Sequence, residues 1–120
     1  MPISHLFKNP NLHLQATLRI IGEDVAFFGP GRLQLLEQIE ATGSISQAAK
    51  NMKMSYKKAW KMISSMNEQA KKPLVAMQTG GSSGGGAVVT DEGREIMNYY
   101  QALHKRFEAF LEQEVKKLIA

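Results

Sequence analysis

The spacing of hydrophobic and polar positions changes several times along this 120-residue chain, and each change marks an element. From Leu12 the pattern alternates. Leu12, Leu14, Ala16, Leu18 and Ile20 fall on one side, with His13, Gln15, Thr17 and Arg19 on the other. A period of two describes a half-buried strand. Gly22-Glu23-Asp24 supplies a turn and Val25 to Phe28 a returning strand, so a β-hairpin is expected over residues 12–28. Gly29-Pro30-Gly31 stops the hairpin and starts a helix to about Ala41, with Leu33, Leu36 and Ile39 inward and Thr42-Gly43 closing it.

Two helical patterns follow at once. The first opens with Ser44 and Gln47 at capping-box spacing, in which each side chain can satisfy an amide at the helix start. Ala48, Ala49 and Met52 give it a short apolar face. The second opens on Ser55 as N-cap, and Ala59, Met62, Ile63 and Met66 repeat at three and four residues. Two helices, a tight connection and small alanines at the crossing describe a helix-turn-helix, whose second helix enters a DNA major groove. The usual glycine of the turn is replaced by Lys53, which must then tolerate a positive φ. Trp60, beside Ala59 and Ile63, is expected to pack in the core, with a stacking platform as the alternative.

Pro73 ends the second helix. Leu74 to Thr79 and Ala87 to Thr90 form two short strands around a loop of glycine and serine, and a hairpin in that place is a wing. Thr90 or Asp91 then caps a long helix. Its apolar positions Ile96, Tyr100, Leu103, Phe107, Phe110, Leu111, Val115 and Leu118 keep close to a 4-3-4 rhythm. A seam of this length exceeds what a core of this size can bury. Pairing with a second copy through Ile96, Tyr100, Leu103, Phe107, Phe110 and Leu111 is expected, with intramolecular packing as the alternative.

Charge adds a partner to this picture. Of 15 Lys and Arg residues, seven lie between Gly43 and Lys72 (Lys50, Lys53, Lys57, Lys58, Lys61, Lys71 and Lys72) against one acid, Glu68. The five from Lys50 to Lys61 have no acid within four residues, so intrahelical pairing does not explain them. They are the footprint of a polyanion-binding surface on a chain whose net charge is only +4. Ser55, Tyr56 and Lys57 stand at the start of the second helix, where side chains reach base edges and amides reach phosphate.

Other chemistry finds little support. The absence of cysteine excludes disulfides, thiolate metal sites and cysteine nucleophiles, and it suits a reducing cytoplasm. No apolar run approaches the roughly 18 residues of a membrane span, and the N-terminus lacks a signal-peptide core, so a cytoplasmic protein is expected. His5, His13 and His104 are scattered, and the methionines at 52, 54, 62 and 66 have the spacing of core residues. Asp91, Glu92 and Glu95 crowd the start of the last helix, where its dipole favours them. Gly80-Gly81-Ser82-Ser83-Gly84 matches G-x-S-x-G, but it joins two strands rather than a strand and a helix. It also lacks the Gly-Lys-Ser/Thr ending of a phosphate-binding loop. Neither an enzyme nor a metal or cofactor site is expected.

The words GSISQAAK (43–50), SYKKAW (55–60), MN (66–67) and TGGSSGGGAVVT (79–90), followed by the long helix, resemble the N-terminal DNA-binding domain of the ModE family. These are molybdate-responsive bacterial transcription regulators, and the likeness runs from about Leu12 to the end of the chain. The resemblance implies a mainly α winged helix-turn-helix with an N-terminal β-hairpin and a long C-terminal dimerisation helix. One domain would span residues 1–120, with the hairpin at 12–28, the helix, helix-turn-helix and wing at 31–90, and the dimerisation helix at 91–119. It implies a sequence-specific regulator that binds double-stranded DNA as a homodimer. The residues expected at the DNA are Ser44, Ser46, Gln47, Ser55, Tyr56, Lys57, Lys58, Lys61 and the wing residues Ser82 and Ser83. Full-length family members carry further domains that bind molybdate, whereas this sequence stops at Ala120. DNA binding therefore carries over and oxyanion sensing does not, so direct molybdate binding is not expected. Ser82 and Ser83 also stand where a basic residue would help grip the backbone, so the wing's contribution should be modest. The alternative is a protein-interaction module using the terminal helix, with incidental nucleic-acid affinity.

Overall fold

The computed structural model describes residues 1–78 and 86–119. After a 3-10 turn at Ser4–Leu6, strands β1 (Ile20–Gly22) and β2 (Val25–Phe28) pair antiparallel. Helices α1 (Pro30–Thr42), α2 (Ile45–Asn51) and α3 (Tyr56–Gln69) follow. Strands β3 (Val75–Gln78) and β4 (Gly86–Val89) pair antiparallel in the register Val75 with Val89 through Gln78 with Gly86. Helix α4 (Asp91–Ile119) completes the order, and the whole is a winged helix-turn-helix.

Local chemistry explains the joints. Pro30 begins α1, where a missing N–H has no helical partner to lose. Gly43 ends it at φ 68, donating its N–H to the Ile39 carbonyl at 2.7 Å. The Gly43 carbonyl then accepts from Ala87 N–H at 2.9 Å, which ties β4 to the end of α1. Lys53 does occupy the left-handed region, at φ 56, so the turn between α2 and α3 holds a lysine where glycine would be unstrained. Leu35, Leu36 and Ile39 of α1 are fully buried, whereas Leu33 is only half-buried. Leu35 joins the expected Leu36 and Ile39 in the core because α1 is packed on more than one side, against α2, β4, α4 and β2.

Asn67 locks the wing onto α3. Its Oδ1 accepts from the N–H groups of Leu74 (2.8 Å) and Val75 (3.3 Å), and its Nδ2 donates to the Val75 carbonyl (3.0 Å). Leu74 and Val75 are both buried and Asn67 is half-buried, so water is a poor substitute for these partners. Asn67→Ala is expected to cost about 2–3 kcal/mol in urea unfolding, the penalty for stranding buried polar groups. An unchanged unfolding midpoint would show that something else holds β3 in place.

The first part of the chain departs from the expected hairpin. Only Ile20–Gly22 pairs, and residues 12–19 form no strand. The cause is the length of the partner: β2 has four residues before Gly29 and Pro30 turn the chain into α1. The leading segment runs along α4 instead. Ile3 N–H donates to the Leu118 carbonyl at 3.0 Å, and at the other end the Tyr100 hydroxyl donates to the Leu18 carbonyl at 2.7 Å.

Helix α4 has two halves. Its first turns join the core through Gly93, Met97 and Tyr100, after Thr90 has capped it by accepting from Gly93 N–H at 3.0 Å. Tyr100 packs edge-on against Phe28 at 5.5 Å, and burial holds its phenol above the ordinary range, as a neutral donor. The later turns project. The radius of gyration is 18.6 Å, against about 14 Å for a globule of this length.

Candidate nucleic-acid interface

Helix α3 presents a divided surface. Ala59, Ile63 and Met66 are buried on one side, with Met62 half-buried beside them. At 100° per residue, Lys57, Lys61 and Ser64 lie opposite. Lys58 and Ser65 border that face on one flank, Tyr56 and Trp60 on the other. Lys57, Lys58 and Lys61 are exposed, as are Lys50 and Lys53 on α2 and the turn. None of these five takes part in an ion pair among the described residues, so their charges are free for an external anion.

Both helices that meet at the turn are capped by serine. Ser44 Oγ accepts from Gln47 N–H at 3.1 Å, and Ser55 Oγ accepts from Lys58 N–H at 3.0 Å. A hydroxyl that accepts in this way still has its own O–H to donate, so capping does not withdraw either serine from a phosphate. The first turns of α2 and α3 contain no acidic residue, which leaves the positive end of each helix uncompensated.

The expected reciprocal capping box at α2 is only half made. The side chain of Gln47 does not return to Ser44, because its Nε2 donates to Asn51 Oδ1 at 3.0 Å. Asn51 Nδ2 donates in turn to Gln38 Oε1 at 2.8 Å, and Ser44 N–H finds the hydroxyl of Thr42 at 3.2 Å instead. This chain of amides holds Gln47 in place beside exposed Ser46. Asn51 and Gln38 were not singled out from sequence, although Gln47 and Asn51 stand at i, i+4 spacing, where helical side chains meet.

Two further expectations change. Trp60 is not a core residue: it is 42% exposed, because Ala59 fills the place at the α2–α3 crossing and the indole falls one position round the helix. Tyr100, expected in a dimer interface, is instead buried in its own chain's core, and Ile96 packs against that core. Of the six proposed interface residues, Leu103, Phe107 and Leu111 are half-buried on the projecting half of α4 and Phe110 is 58% exposed. Ser82 and Ser83 lie outside the described residues. No helix among the described residues is long and apolar enough to cross a membrane.

Comparison with known proteins agrees with this geometry. Residues 30–94 match the family of bacterial regulatory helix-turn-helix proteins of the lysR type, more than half of the chain. The chain is 45% identical over 87 residues to the molybdenum transport protein ModE of Azotobacter vinelandii, covering 72% of this chain and 32% of that protein. It is 37% identical over 95 residues to the transcriptional regulator ModE of Haemophilus influenzae, covering 79% and 36%. The DNA-binding transcriptional dual regulator ModE of Escherichia coli is 46% identical over 77 residues, covering 64% and 29%. The chain thus spans about a third of the length of the curated relatives it matches.

Proposed function

The chain belongs to the lysR-type family of bacterial regulatory helix-turn-helix proteins, and from that premise we propose that it is a sequence-specific, DNA-binding transcriptional regulator of the ModE kind. The observation that carries this reading is the free cationic surface of the helix-turn-helix. Five lysines of α2, the turn and α3 are exposed and take part in no ion pair among the described residues, and both helix starts at this turn are serine-capped. Lysine contacts to phosphate supply affinity without sequence information, and the start of α3, with Ser55, Tyr56 and Lys57, supplies discrimination. The activity is binding, not catalysis, and its setting is the cytoplasm.

The active species is a homodimer. The projecting half of α4 leaves Phe110 uncovered, and Leu6, Phe7 and Leu14 of the leading segment are also exposed. Two-fold pairing there would present two α3 helices to successive major grooves. Molybdenum, which appears in the relatives' names, is not carried onto these residues. The lysines spread along two helices and a turn instead of closing round one small oxyanion, so direct molybdate binding is no part of the proposal.

Selection from a random-sequence duplex library tests the reading. Enrichment of two half-sites with centres about 34–36 Å apart is expected, with a dimer in sedimentation at micromolar concentration. A pool that gains no common sequence would contradict specific regulation.

A further inference from the structure

We propose that Trp60, with Tyr56 beside it, is a thymine-reading surface that takes the 5-methyl group and O4 of thymine in the major groove. The inference rests on the DNA-binding function proposed above. Its starting point is a misplaced aromatic. Tyr56 and Trp60 are 52% and 42% exposed, and they are the exposed large apolar side chains of α3 among the described residues. Four residues apart, they share one row of the helix surface. Exposed hydrophobic residues scattered singly need no explanation. An adjacent aromatic pair bordering Lys57 and Lys61 is a different matter.

The row has a direction. Asn67 stands seven residues beyond Trp60, on the same strip of α3, and its amide is bonded to Leu74 and Val75 at the start of the wing. The aromatic pair therefore lies on the flank of α3 that turns toward the wing, beside the lysine face. Its indole N–H could reach a phosphate, but that contact would leave the broad apolar ring without a partner. Its chemistry is one N–H donor on a broad apolar ring. Thymine presents O4, an acceptor, and the C5-methyl group in the major groove, whereas cytosine presents an amino donor, adenine an acceptor beside an amino donor and guanine two acceptors, all three without a methyl. Of these edges thymine's is the match for an indole.

Trp60 is the chain's single tryptophan, so its emission reports on this position alone. The probes are a labelled duplex recovered from the random library and the same duplex with deoxyuridine for thymine, which removes only the methyl groups. Binding is followed by anisotropy, and indole exposure by acrylamide quenching. The thymine duplex should lower the quenching constant of Trp60 at least about twofold. Loss of each contacted methyl should weaken wild-type binding about fourfold. Trp60→Ala should bind both duplexes alike, while Trp60→Phe, which keeps an apolar ring, should retain the methyl preference. If anisotropy shows binding but the quenching is unchanged, or if Trp60→Ala keeps the wild-type preference, the assignment is overturned and DNA binding stands. If no duplex binds, both are overturned.

Discussion

Gly93→Ala will destabilise the protein by about 3 kcal/mol, the upper end of the penalty for overpacking a closed site. Propensity argues for the opposite sign, because alanine in a helix is favoured over glycine by about 1 kcal/mol. Packing decides. A Cβ on Gly93 would sit on the Leu74 carbonyl oxygen and lie 2.6 Å from Val89 Cγ1. That carbonyl cannot move aside freely, since it accepts from Thr90 N–H at 3.0 Å and from the Thr90 hydroxyl at 3.1 Å, and Thr90 caps α4. The damage should therefore loosen the wing and the base of α4 together. Gly31→Ala is the control, with its nearest added contact at an ordinary 3.9 Å to Met62 Cε. Urea unfolding of the two variants measures the difference. Equal midpoints would mean that Gly93 approaches the Leu74 carbonyl and Val89 less closely than described.

The second large effect concerns charge. Replacing Lys57, Lys58 and Lys61 together by alanine should leave stability nearly unchanged, because all three are exposed and unpaired among the described residues. Each phosphate contact contributes about 0.9 to the slope of log affinity against log salt. Lys58 and Lys61 on each protomer of the proposed dimer would remove roughly 4 from that slope, and with Lys57 also lost from the bases the triple variant should bind about a thousandfold or more weakly at moderate salt. Anisotropy titrations of wild type and variant at several salt concentrations read both quantities. A variant that keeps the wild-type slope would place the phosphate contacts elsewhere.

What could be read in advance was what short-range chemistry decides. Ser44 and Ser55 announced two helix starts, and both cap as their spacing required. Lys53 announced strain at the turn and carries it. The long apolar rhythm after Thr90 gave α4 its length. What escaped depends on neighbours distant in sequence. The alternation from Leu12 to Arg19 is that of a strand, yet pairing requires a partner, and the four residues of β2 cannot supply one. Trp60 is hydrophobic enough for the core, but the α2–α3 crossing admits Ala48, Ala49 and Ala59 and leaves no room for an indole. Met97 is buried although it lies off the 4-3-4 rhythm, because the base of α4 packs against the core instead of continuing the seam. Asn67 has an exposed-looking sequence context, and only the return of β3 gives its amide three backbone partners.

In the proposed complex the helix-turn-helix lysines grip DNA while the start of α3 selects its sequence. A salt titration of wild-type binding to the selected duplex and to a scrambled duplex of equal composition tests it most directly. A steep salt dependence is expected on both, with the selected duplex bound at least about a hundredfold more tightly at each salt concentration. Equal, weak binding to the two duplexes would contradict it and leave a basic protein whose specific partner is met through α4.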